Sequence, residues 1–167
     1  MIHKKISVKI GEHHPTAEIT TYMIGNSEEL YDGRLRPLII ICPGGGYEMT
    51  SDREAEGIAL KFMAMGYHAA VLRYSVKPAV YPTALLQLAA TVKYFRENAD
   101  KYYIDADKII TCGFSAGGHL VASYGNSWNK AQFTNNRVNG NEVCRPNAQI
   151  LCYPVISSGK YGHKESI

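Results

Sequence analysis

The chain has no apolar stretch near the roughly 18 residues that a membrane span requires. Its first residues, Met1-Ile2-His3-Lys4-Lys5-Ile6-Ser7-Val8, lack the apolar centre of a secretory leader. It has no basic run. The 18 Lys and Arg exceed the 15 Asp and Glu by only three, so no electrostatic footprint for nucleic acid is present. Cysteine is scarce. The four, at 42, 112, 144 and 152, match neither a zinc pattern nor C-x-x-C. Three stand inside apolar runs, as small buried hydrophobes of a reducing compartment do. No internal repeat is present. These absences predict a soluble, cytoplasmic protein with no nucleic-acid or membrane partner. The 167 residues, 46% hydrophobic and 20% charged, suit one domain and exclude a disordered chain.

What is present is an alternation of strand and helix signals. Ile6, Val8 and Ile10 alternate with polar neighbours, which is the period of a half-exposed strand. Residues 17–24 read as a second strand. Residues 37–42 (PLIIIC) are apolar throughout, as a central parallel strand covered on both faces must be. Residues 67–74 (YHAAVLRY), 108–114 (KIITCGF) and 148–156 (AQILCYPVI) are similar runs.

Between them lie helices. Ser51-Asp52-Arg53-Glu54 has the S-x-x-E spacing of a capping box. Ala55, Ile58, Ala59 and Phe62 follow on one face, and Gly66 stops the helix. Pro82 opens a second helix with Leu85, Leu88, Ala89, Val92 and Phe95 as its buried stripe. A third begins at Ala116 and ends near Tyr124. The order β-β-β-α-β-α-β-α-β predicts an α/β fold, a mostly parallel, doubly wound sheet of about six strands with three main helices. Residues 126–146 are polar, Asn-rich and carry the only tryptophan; a lid and a solvated excursion are both open readings.

Two motifs carry chemistry. Gly113-Phe114-Ser115-Ala116-Gly117 is G-x-S-x-G at the end of an apolar strand and the start of a helix. A serine on so sharp a turn projects its hydroxyl from the sheet. Gly113 and Gly117 supply the absence of side chain that the close strand and helix demand. The helix N-terminus behind Ser115 favours developing negative charge. Pro43-Gly44-Gly45-Gly46-Tyr47 follows the central strand. Its glycines let backbone N–H groups face a ligand. With the N–H of Ala116, those of Gly45 and Gly46 would form an oxyanion hole. A phosphate loop is excluded, since no Lys-Ser/Thr follows and neither glycine cluster is G-x-G-x-x-G.

These motifs resemble the α/β-hydrolase superfamily, and within it small bacterial esterases related to acetylxylan and feruloyl esterases. The resemblance runs from about residue 37 to 155. It rests on PGGGY (43–47), Ser51, Arg53 and Glu54, VLRYS (71–75), Tyr81-Pro82, IDADKI (104–109), GFSAGGHL (113–120) and LCYPVI (151–156). Pro43 stands where the hormone-sensitive-lipase-like group has a His, which favours the carbohydrate-esterase side. The resemblance implies a serine carboxylesterase with Ser115 as nucleophile, a small acyl ester as substrate, a sugar ester among the candidates, and neither metal nor organic cofactor. An acyltransferase or peptidase on the same fold stays open.

A serine nucleophile needs a base and an orienting carboxylate. The resemblance implies an acid after the seventh strand and a His after the eighth. Only six strands are legible, and eleven residues follow Ile156. Residues 1–167 therefore read as a single α/β-hydrolase domain incomplete at its C-terminus, with no counterpart for the acid and base. His119, one turn after Ser115, is expected to pack beside the helix. His163 lies in a tail, and His13, His14 and His68 have no motif around them. Asp52, Asp105 and Asp107 read as caps and turn residues. The alternative function is an inactive remnant or fragment that binds a ligand or partner, or assembles with a chain supplying the last strands. The unpaired edge at residues 148–156 predicts self-association.

Overall fold

Among the residues described by the computed structural model, 1–130, 142–157 and 159–160, six strands form one sheet. They are β1 (Lys5–Val8), β2 (Ala17–Tyr22), β3 (Arg36–Cys42), β4 (His68–Arg73), β5 (Ile104–Phe114) and β6 (Ala148–Cys152). Their order across the sheet is β1-β2-β4-β3-β5-β6. β1 and β2 are antiparallel to each other, β2 is antiparallel to β4, and the pairs β4–β3, β3–β5 and β5–β6 are parallel. The expected mostly parallel sheet is thus observed.

The apolar run of β3 is explained by two covered faces. Leu38, Ile40 and Cys42 point to one core, and Ile39 and Ile41 to the other. Helix α1 (Glu56–Ala64) covers the second face with Ala59, Ile58 and Phe62. Helices α2 (Thr83–Glu97) and α4 (Ala116–Gly125) cover the first. The predicted stripe of α2, from Leu85 to Phe95, is buried. Each Leu or Ile taken fully out of water here contributes about 1.5–3 kcal/mol. Gly66 ends α1 at φ +87°, and its N–H reaches Met63 O.

Three local expectations need correction. Ser51 forms no side-chain cap, and the first turn after it is a 3₁₀ segment, Asp52–Glu54. The capping box is absent because the Glu54 carboxylate is taken by distant partners, described below. The run at 148–156 stays in the ladder only to Cys152; residues 153–156 leave the sheet and wrap around the end of β5. β5 begins at Ile104, earlier than its apolar run, with an irregular register between Arg36 and Leu38 of β3. Asp105 and Asp107, expected in a turn, lie within this strand, where Asp105 Oδ1 accepts from Asp107 N–H at 3.1 Å. A short helix α3 (Ala99–Tyr102) also has no periodic signal, being a single turn. Of the polar excursion at 126–146, residues 131–141 lie outside the described residues. Trp128 packs on the core beneath Arg145.

Candidate active site

β5 delivers Ser115 at φ +51° and ψ −116°, a conformation that costs a non-glycine residue about 1–3 kcal/mol. The surroundings hold it there. Ser115 N–H donates to Cys152 O at 3.0 Å, and Ser115 O accepts from His119 N–H at 3.0 Å and Val155 N–H at 3.3 Å. A Cβ on Gly113 would lie under 3.0 Å from the Gly117 backbone, and one on Gly117 under 3.0 Å from Cys42 O and Pro43 O. The two flanking glycines therefore let α4 start directly against the ends of β5 and β3. Ala116 opens that helix, where N–H groups have no intrahelical acceptor.

The glycine loop lies against this turn. A Cβ on Gly44 would be 3.0 Å from Ser115 Cβ. The loop is tied at nearly every residue. Pro43 O accepts from Tyr74 O–H at 2.6 Å. Gly44 N–H donates to Glu54 Oε2 at 2.7 Å, and Gly44 O accepts from Ser51 N–H at 2.8 Å. Tyr47 O accepts from Lys77 N–H at 2.8 Å. Thr50 O accepts from Arg73 at 2.8 Å. Gly45 and Gly46 sit at φ +133° and +63°, conformations that suit glycine, and their N–H groups have no acceptor among the described residues. Two free donors beside a serine on a strained turn can stabilise an oxyanion.

His119 is half-buried under the loop. Its Nδ1 is 2.9 Å from the Tyr47 hydroxyl and its Nε2 is 3.4 Å from Ser123 Oγ. Burial lowers its pKa and keeps the ring neutral at pH 7. Burial also pushes the Tyr47 and Tyr74 phenols far above their ordinary range. The ring thus packs beside the helix as expected, and it also supports the loop through Tyr47, a contact the sequence did not suggest. His68 is buried between Ile24 N–H and Tyr103 O. His14 Nδ1 is 3.3 Å from Thr83 Oγ1. His13 and His14 border an open depression of about 590 Å³ on the segment after β4, which includes neither Ser115 nor the glycine loop. His163 lies outside the described residues. Among the described residues no imidazole is hydrogen-bonded to Ser115, and no group of three His, Cys, Asp or Glu is arranged to hold a metal.

Glu54 escaped the sequence reading as a site residue. Its two oxygens divide between Gly44 N–H and the Tyr153 hydroxyl, the latter at 2.7 Å. That bond to a carboxylate is the first cause raising the Tyr153 phenol to about 12. The S-x-R-E spacing was visible, but the same spacing serves a helix cap.

A family model described as BD-FAE matches residues 29–156. The chain belongs to the BD-FAE family. The BD-FAE match takes in β3 to β6, the glycine loop, Glu54 and Ser115. Endo-1,4-beta-xylanase B of Butyrivibrio fibrisolvens is 35% identical over 136 residues, 79% of this chain and 21% of that protein. MGS-M1, an α/β hydrolase enzyme from a Medee basin deep-sea metagenome library, shares 40% identity at a TM-score of 0.75 over 96% of this chain and 61% of its own. The carboxylesterase Cest-2923 from Lactobacillus plantarum WCFS1 shares 32% at a TM-score of 0.84 over 99% and 62%. This BD-FAE chain thus has the α/β-hydrolase architecture. It spans 21% of that curated relative's length and 61–62% of those two solved chains. Among the described residues no helix is long and apolar enough to cross a membrane.

Proposed function

We propose that the chain carries the nucleophile half of a serine carboxylesterase. Ser115 Oγ attacks the ester carbonyl carbon, and its proton passes to a base. The carbonyl π electrons move to oxygen, where the Gly45, Gly46 and Ala116 N–H groups hold the oxyanion. Collapse expels the alcohol, which takes up the proton, and leaves an acyl–Ser115 ester. Water then attacks that ester and releases the carboxylic acid. The observation that carries this reading is a strained serine backbone beside a glycine loop that is held at Gly44 and leaves the Gly45 and Gly46 N–H groups without an acceptor among the described residues. Losing one such donor costs ~10²–10³ in kcat. The partner expected is a small acyl ester. The name of the xylanase relative supports a carbohydrate substrate, and that of a solved neighbour at 33% identity, an acetyl ester-xyloside bifunctional hydrolase from Caldicellulosiruptor lactoaceticus, supports an ester on it.

A second reading has its own observation. No described imidazole is hydrogen-bonded to Ser115. A site of this kind without its base retains only ~10³–10⁴ of catalysis over water, and then serves as a binding or interaction module.

Intact-mass spectrometry with a fluorophosphonate probe separates the two. The esterase reading expects one adduct, formed within minutes and absent in Ser115→Ala. Wild-type protein that labels no faster than Ser115→Ala would refute it and support the binding module.

A further inference from the structure

Glu54 is a half-buried carboxylate with both oxygens committed. One takes the N–H of Gly44, the buried residue immediately before the two free donors. The other takes the hydroxyl of Tyr153, just beyond β6. Gly44 is closed on its other side by Ser51 N–H. A Cβ on Gly44 would be 2.8 Å from Glu54 Oε2 and 3.0 Å from Ser115 Cβ, so carboxylate and nucleophile both pack closely on the face of Gly44 where a side chain would stand. The Glu54 bond fixes the Pro43–Gly44 peptide, and the Ser51 bond to Gly44 O fixes the next peptide, which carries the Gly45 N–H. A bond between a carboxylate and an N–H is roughly twice as strong as a neutral one, so Glu54 anchors firmly the peptide from which the Gly44–Gly45 plane turns.

Resting on the esterase reading above, we propose that Glu54 is a positioning residue that aims the Gly45 and Gly46 N–H groups at the oxyanion and couples that aim to the segment following β6. The elbow depends on the same segment. Ser115 N–H is held by Cys152 O, and Ser115 O accepts from Val155 N–H. Tyr153 lies between those two residues and reaches Glu54. The ring of Tyr153 also lies 5.9 Å from that of Phe114, the residue before the nucleophile. Nucleophile and oxyanion donors are therefore set by one turn, through two separate chains of contact.

The test compares wild type, Glu54→Leu, Glu54→Gln and Tyr153→Phe in the full 167-residue chain, with two readouts. The first is fluorophosphonate labelling, resolved into the maximal rate and the half-saturating concentration. Misdirected oxyanion donors act on the rate and not on binding. Glu54→Leu is expected to lower the maximal rate about 10–100-fold with little change in half-saturation. Glu54→Gln keeps an acceptor for Gly44 N–H and is expected to stay within roughly fivefold of wild type, the worth of about one hydrogen bond. Tyr153→Phe is expected to lie between them. The second readout is the Gly44 amide in ¹⁵N NMR and hydrogen exchange, which needs no activity. In wild type it is downfield and protected; Glu54→Leu loses both features and Glu54→Gln retains protection.

Glu54→Leu labelling at the wild-type rate would overturn the proposal, as would an unchanged Gly44 amide in that variant. Rates falling in all three variants in step with their melting temperatures would also overturn it, since that marks a merely structural contact. If wild type does not label, the esterase reading fails by itself, and the Gly44 amide decides whether Glu54 sets the loop.

Discussion

Acidification should unfold this domain through one imidazole. His68 is fully buried at the start of β4. Its Nδ1 accepts from Ile24 N–H at 3.1 Å, so the neutral ring carries its proton on Nε2, which donates to Tyr103 O at 3.2 Å. Adding a proton to Nδ1 would set one donor against another. Burial is the main cause lowering this pKa to about 4, with Arg36 pushing the same way and the Tyr103 carbonyl opposing. The unfolded chain has an ordinary imidazole near 6.5. The unfolded state therefore binds the proton first. Stability is intact above pH 6.5 and is lost as the pH falls towards 4, with a full loss on the order of 3 kcal/mol and about 2 kcal/mol already gone at pH 5. The assay is urea denaturation at pH 7, 6 and 5 for wild type and His68→Gln. Carboxylates titrating over the same range act in both proteins and cancel in the difference. The variant should be weaker at pH 7 and should lack the extra pH slope. Parallel slopes in the two proteins would refute the reasoning, because they would place the proton uptake elsewhere.

Gly117→Ala should cost at least about 1–3 kcal/mol, since its new methyl meets the backbone oxygens of Cys42 and Pro43, which cannot rotate away; an unchanged urea midpoint would contradict this packing. Thr111 Oγ1 is buried without a partner among the described residues. Thr111→Val should therefore stabilise the fold by up to about 1 kcal/mol, and a drop in melting temperature would show that the hydroxyl is satisfied. β6 is one of the two edge strands among the described residues, with Ile150 and Leu151 36% and 42% exposed. Self-association is expected and should weaken in Leu151→Lys; a concentration-independent monomer in sedimentation velocity would exclude it.

The parts of the fold legible in sequence are those whose cause is local. The apolar run of 37–42 announces a strand covered on both faces, and Leu85 to Phe95 announces one buried helix face. Gly113 and Gly117 state their own reason, since any Cβ there strikes backbone. The glycine loop and Ser115 were legible as separate motifs, and the structure brings them together at Gly44. What escaped is long-range. Gln87 sits inside α2 as a polar residue, yet it is buried and satisfied by Ser75 N–H, Ser75 Oγ and Pro15 O, none of them on the helix. The Tyr153–Glu54 bond joins residues 99 positions apart. Spacing cannot show such a pair, and the local rule offered Glu54 a cheaper partner at Ser51.

The misread carboxylate also explains why the first turn before α1 is irregular. A capping box would have turned Glu54 back to the Ser51 N–H, and that N–H instead donates to Gly44 O. Ser51 and Glu54 thus give up their bond to each other and take the two sides of Gly44. The exchange sacrifices a helix cap, typically worth ~1 kcal/mol, and gains two hydrogen bonds on a residue that packs against the nucleophile. Helix α1 can bear the loss because Ala59 is buried and Ile58 and Phe62 pack on the second core. Tertiary packing, not capping, then holds its N-terminus. Where a local signature is strong and the structure declines it, the freed groups point to what the fold is arranged to hold, and here both point to the glycine loop beside Ser115.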